Sequence, residues 1–202
     1  MKQPATSELY TYWNRLRGNR AAPDRAEIEP AAIRSALADT FMLDVDAEQQ
    51  FPLRLSGSRI NALFCAEQKR RPFIDMWSEG EARNIAAILR TVADASCPVI
   101  AGAVTAPAGY PELEVEFLLL PLRHGGSSIA RILGGLTTLR KPAWLGLLPA
   151  ERLMLRSLRT IADSVAPLNP DRPRMKRWPA GNATGNGAFE TRGHLRIYRG
   201  GM

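Results

Sequence analysis

Apolar positions near the start of the chain recur with a helical period. Leu9, Tyr12, Trp13 and Leu16 fall at i, i+3, i+4 and i+7, with Thr6 and Ser7 as cap candidates before them and Gly18 after. This predicts a first amphipathic helix. A second is announced by Pro30 at a first-turn position, where Ile28 can staple onto Ile33 and Ala36 and Leu37 extend the stripe. The period then changes to two. Phe41, Leu43 and Val45 alternate with Met42, Asp44 and Asp46, and after the polar turn Ala47–Gln50 the alternation resumes with Phe51, Leu53 and Leu55, so two strands form a hairpin. Ile60, Leu63 and Phe64 suggest a short helix. Ser78 with Glu81 fits a capping box before the helical face Ile85, Ile88, Leu89 and Val92.

Three strand candidates follow, Val99–Thr105, Leu113–Leu122 and Ile129–Leu139, with a flexible turn Gly125–Ser128 between the last two. A final helix is expected from Pro149 to about Val165, carrying Met154, Leu155, Leu158, Ile161 and Ala162 on one side and Arg152, Arg156 and Arg159 on the other. The order is helix, helix, two strands, a helical middle, three strands, helix.

The 202 residues correspond to one domain with appendages, and a 45% hydrophobic content excludes a wholly disordered chain. The longest uncharged stretch, Ala95–Pro111, is broken by prolines and glycines and cannot span a membrane as a helix. The first ten residues lack a signal-peptide apolar core, so a cytoplasmic protein is expected. The net charge of +7 is concentrated at the end. From Pro167 to Met202 seven Lys/Arg face only Asp171 and Glu190, a surplus of five, which leaves +2 for everything before. That segment is rich in Pro, Gly and Asn, lacks a long apolar period and reads as a flexible basic tail. Such a tail can hold nucleic acid by charge alone, which gives the alternative class of function.

The strings LYTYWNRLRGNRAAPDRAEIEPAAIRSALADTFMLD, FPLRLSGSRINALF, FLLLPLRHGG, RILGGL and PAWLG together resemble the small stand-alone PAS proteins common in alphaproteobacteria, over residues 8 to 160. The resemblance implies an α+β fold. It has a PAS-like five-stranded antiparallel sheet with helices on one face, preceded by two N-terminal helices and followed by a C-terminal helix. The corresponding divisions are 1–38 for the helical extension, 39–146 for the PAS-like domain, 147–166 for the terminal helix and 167–202 for the tail. It further implies a non-enzymatic, cytoplasmic role in signalling, with no catalytic residues and no agreed ligand. Trp13, Arg17, Arg54, Gly57, Trp77, Pro121, Arg131, Gly134, Trp144 and Gly146 match its patterns. Most of these are expected to be structural, Gly57 by allowing a positive φ.

Candidate chemistry is sparse. Glu112, Glu114 and Glu116 share one strand face, which is a solvated face unless Glu116 pairs with Arg54 or Arg131 across the sheet. Cys65 and Cys97 stand apart without CxxC spacing, and His124 and His194 are the two imidazoles, too few for a zinc site. His124 alone is a weak haem signature, and the segment around Cys65 lacks the NCRFLQ-type string of cysteine-linked flavin sensors, so no cofactor and no metal are expected. Neither a P-loop nor a GxSxG elbow is present.

What remains is a pocket and a surface. Phe64, Phe73, Trp77 and Leu118 are expected pocket walls for a small-molecule ligand, with Arg54 or Arg131 fixing an anionic group. An exposed Tyr10 or Trp13 is expected to mediate homodimerisation. The arginines Arg152, Arg156 and Arg159 are expected to present a face to a histidine kinase or other signalling partner.

Overall fold

The computed structural model describes residues 1–125, 129–161, 189–192 and 195–198. The turn 126–128, most of the predicted basic tail and His194 lie outside them. Helix α1 (Pro4–Arg17) leads through three short 3-10 turns, Arg25–Glu27, Pro30–Ile33 and Leu37–Asp39, into β1 (Thr40–Asp44) and β2 (Leu53–Ser56). There follow α2 (Ser58–Leu63), a 3-10 turn Phe73–Met76 and α3 (Glu79–Ala95). Strands β3 (Val99–Thr105), β4 (Leu113–Arg123), β5 (Ile129–Thr138), β6 (Met154–Thr160), β7 (Phe189–Arg192) and β8 (Leu195–Tyr198) complete the order.

The strands form one sheet in the order β2-β1-β5-β4-β3-β6-β8-β7. The first six are antiparallel to their neighbours, and β8 joins β6 in parallel. The expected five strands are thus exceeded, and two of the additional ones, β7 and β8, lie in the segment expected to be a flexible tail. Their four residues each are too few to show a convincing period in the sequence.

Strand alternation divides the core into two layers. Phe41, Leu43, Val115, Phe117, Leu119 and Ile132 point to the inner face, where α2, α3 and the Phe73–Met76 turn cover them. Met42, Leu118, Leu120, Leu122 and Leu133 point to the outer face, against Leu9, Tyr12 and Trp13 of α1 and Ile28 and Ile33 beyond it. Helices therefore cover both faces, not one. α1 lies across β4 and β5, and the Tyr12 hydroxyl accepts the Glu29 amide at 2.7 Å, tying the helix to the segment that follows.

Several expectations change at the level of single elements. Helix α1 starts earlier than expected, with Gln3 as N-cap and Pro4 in its first turn, so Thr6 lies inside it and its hydroxyl meets that of Thr137 at 2.9 Å. The second helix is instead a set of 3-10 turns closed by i→i+3 bonds such as Ala36 N–H to Ile33 O, 2.9 Å. Ser78 is the N-cap of α3 without a side-chain cap bond, and the capping box occurs at Asp24 and Glu27. Gly57 has φ −67°, so its turn needs no positive φ; the Ala38 and Leu37 carbonyls stand where a Cβ would be.

The largest correction is the terminal helix expected over 147–166, whose centre is strand β6. Leu155 pairs with Ala103 and Leu158 with Ala101, both inner-face positions, because a bulge between Gly102 and Ala103 inserts one residue on the β6 side. The bulge turns two-residue alternation into a three-residue step. Apolar residues spaced i, i+3 on a strand thereby imitate a helical face.

Asp39, at the end of the third 3-10 turn, is buried and ion-paired with Arg59. Burial raises its carboxyl above the ordinary value, against the opposing pull of the Arg59 guanidinium. A carboxyl raised in the folded state contributes stability that is complete below its unfolded value near 4 and lost as pH rises through the folded value. The urea midpoint is expected to fall as pH rises from about 4 towards neutrality by way of this group, and Asp39→Asn to flatten that slope. Equal slopes in the two proteins would reject the assignment.

Candidate functional site on the open half of the sheet

Because α1 covers β4 and β5, the outer face of β3 and β6 lies beyond the helix. A groove of about 950 Å³ runs there, with Ile100, Gly102 and Val104 of β3 as its floor. Glu112, Glu114 and Glu116 line one side, Arg156, Ser157 and Arg159 the other, and Met1 and Lys2 the end towards α1. The three glutamates do share one face, as their two-residue spacing predicts. Gly102 keeps the floor low: its amide donates to the Ser157 hydroxyl at 3.2 Å, and a Cβ there would stand 2.8 Å from that oxygen.

The charges in the groove differ in how they are engaged. The Glu116 carboxylate is buried and accepts the backbone amides of Lys2 at 2.7 Å and Gln3 at 3.1 Å, anchoring the entry to α1. It does not meet Arg54 or Arg131. Arg156 donates to Glu112 at 2.7 Å, both side chains about half exposed, so this pair contributes little to stability. The Glu114 and Arg159 side chains face the groove without a partner among the described residues.

The other expected site residues separate. Phe73 and Trp77 come together on the inner face in an aromatic ladder: Phe41 to Phe73 at 5.0 Å, Phe73 to Trp77 at 6.0 Å and Trp77 to Phe117 at 5.0 Å between ring centres. Leu118 does not join them, because it points to the outer face and Phe117 takes the inner position. Arg54 and Arg131 also point outward and converge on Asp44, at 3.6 Å and 3.0 Å, so neither can fix an anion beside Trp77. Phe64 and Arg152 line a separate open recess of about 270 Å³ with Gln68 and Asp75, and Arg152 lies 3.6 Å from exposed Glu79.

Trp13 is fully buried, with its indole N–H donating to Pro121 O at 2.9 Å, and the half-buried Tyr10 ring stacks on it at 6.2 Å. It offers no surface for a second copy. Arg152, Arg156 and Arg159 do not form one stripe, since the helix that would align them is a strand. Cys65 is exposed just past α2. Sequence reading missed Ile100, Val104 and Ser157 as groove residues; the signal available was the alternation within Val99–Thr105, which leaves Ile100, Gly102 and Val104 on one face.

Among the described residues no group of three or more His, Cys, Asp or Glu could hold a metal ion, and no helix is long and apolar enough to cross a membrane. No curated protein matches the chain. The family model for the PAS domain matches residues 1–137, from the start of the chain through α1 to the penultimate residue of β5. With a sheet built in this order around a helical middle, and a match over more than half its length, the chain belongs to the PAS-domain family.

Proposed function

We propose that the chain is a non-enzymatic, cytoplasmic sensory or regulatory module that self-associates through the groove on β3 and β6 and passes its state to a histidine kinase or other signalling protein. Its membership of the PAS-domain family supports the regulatory role. The observation that carries the association is Glu114 and Arg159, unpartnered on opposite sides of an apolar floor. A two-fold axis through the groove places Glu114 of each copy against Arg159 of the other, which is the self-complementarity an isologous interface requires. A ligand or partner that favours one arrangement of the pair shifts the population by its differential affinity.

Native mass spectrometry tests this with single charge reversals. Glu114→Arg alone and Arg159→Glu alone are each expected to give monomers, because like charges then face each other across the axis. Mixing the two variants is expected to restore a heterodimer, since each variant supplies the charge the other lacks. Monomeric wild-type protein, or dimers unaffected by either reversal, would reject the groove as the interface.

A small-molecule reading is favoured by one other observation. The Trp77 indole N–H is buried with no acceptor, in the layer where a PAS ligand is expected. A bound molecule would supply that acceptor and would appear in the same spectra as excess mass that vanishes on denaturation. The nucleic-acid reading depends on the tail, most of which lies outside the described residues. It predicts binding that falls steeply with salt and is lost on removal of residues 167 to 202.

A further inference from the structure

At the opposite end of β4 from the groove, the segment between α1 and the first 3-10 turn folds over the end of the strand. The Arg123 amide donates to Pro23 O at 3.0 Å, and the backbones of Asp24 and Arg123 pair in an isolated parallel β-bridge. Three arginines, Arg20, Arg25 and Arg123, are thereby brought to one corner with two carboxylates, Asp24 and Glu27. Both carboxylates are already engaged within the turn. Asp24 accepts the Ala26 amide at 2.9 Å, and Glu27 accepts the Asp24 amide at 2.7 Å and a forked pair from Arg20 at 2.8 and 2.9 Å.

The other two arginines each keep one donor unused. Nε of Arg25 and Nε of Arg123 are each buried without a hydrogen-bond partner. Both side chains are only partly buried, yet a buried N–H donor left without an acceptor is costly, and two such donors come from residues at one corner. Arg123 also acts on Glu27, whose carboxyl is held low first by the Arg20 bonds and the Asp24 amide and additionally by the Arg123 charge. Arg20 therefore neutralises the carboxylate that would otherwise capture Arg123. The corner keeps a cationic surplus with donors pointing at no acceptor.

We propose that Arg25 and Arg123 form a binding site for the phosphate group of a small phosphorylated molecule. Planar guanidinium forks match the geometry of a tetrahedral oxyanion, and a phosphate offers enough acceptors to satisfy both donors at once. The site is separate from the groove and from the aromatic layer.

Inorganic pyrophosphate and inorganic phosphate, titrated into the full-length protein by calorimetry at constant ionic strength, test the proposal. Saturable one-to-one binding is expected with pyrophosphate, and binding of phosphate as well would show that a single phosphoryl group suffices. Arg25→Gln and Arg123→Gln are each expected to weaken it about tenfold or more, the usual loss of one charge-assisted bond, while Arg83→Gln on the exposed face of α3 leaves it unchanged. Absence of saturable binding to the wild-type protein, or equal binding by all three variants, would overturn the proposal. Should either glutamine variant fail to fold, phenylglyoxal labelling of the wild-type protein gives the same decision. Pyrophosphate is expected to protect Arg25 and Arg123 while Arg83 labels at its original rate, and unchanged labelling at both would overturn the site.

Discussion

Trp13→Ala is expected to destabilise the protein by about 3–5 kcal/mol, the range for emptying a large aromatic site in a core. The residue sits on a helix at the edge of the sequence, yet its side chain is fully buried between α1 and the outer face of β4. Three attachments are lost together: the indole bond to Pro121 O at 2.9 Å, the Tyr10 ring at 6.2 Å and the Arg17 guanidinium over the ring at 5.3 Å. The carbonyl of Pro121 is left without its side-chain donor, which adds the cost of a buried unmade bond. Trp13→Phe separates the two contributions, since it retains most of the packing and loses the hydrogen bond. It is expected to cost about 1–3 kcal/mol. Urea unfolding of both variants with unchanged slope checks the values. A loss below about 1 kcal/mol in Trp13→Ala would show that α1 does not depend on this anchor.

The same residue shows where sequence reading of this chain succeeds and where it stops. The stripe Leu9, Tyr12, Trp13 and Leu16 identifies α1, but a stripe says only that one face is apolar, not whether sheet or second copy covers it. The strand pattern is legible in β1 and β2, because polar residues mark the alternate face. In FLLLPL both faces are covered, so alternation vanishes and nothing in the string tells Phe117 from Leu118, although they lie in different layers of the core. Arg54 and Arg131 are recognisable as charges near the sheet, but Asp44, which captures both, becomes their neighbour only through the β1–β2 and β1–β5 pairing. For the groove, the glutamate side was readable from spacing alone. Its arginine side was not, because the bulge opposite Gly102 sets the positions of Arg156 and Arg159.

A single methyl group at Gly134 is expected to be nearly as damaging as the loss of the Trp13 side chain. Gly134 pairs with Phe41 across β1 and β5 and with Leu119 across β4 and β5. The Phe41 ring lies over its Cα, and a Cβ would collide with three of the ring's atoms. The ring cannot swing aside cheaply, being fully buried and stacked on Phe73 at 5.0 Å, the first contact of a ladder that runs on to Trp77 and Phe117. Gly134→Ala is therefore expected to cost about 3 kcal/mol, towards the upper end for overpacking a well-filled core. If the collision with Phe41 is the cause, the penalty depends on that ring being present. Phe41→Ala alone is expected to cost about 3–5 kcal/mol through its cavity, and adding Gly134→Ala to it little more, because the new methyl enters space the ring has vacated. The double-mutant cycle should give a coupling of about 1–3 kcal/mol in the compensating direction. Additive losses would instead place the glycine requirement in the backbone of β5, independent of the aromatic layer.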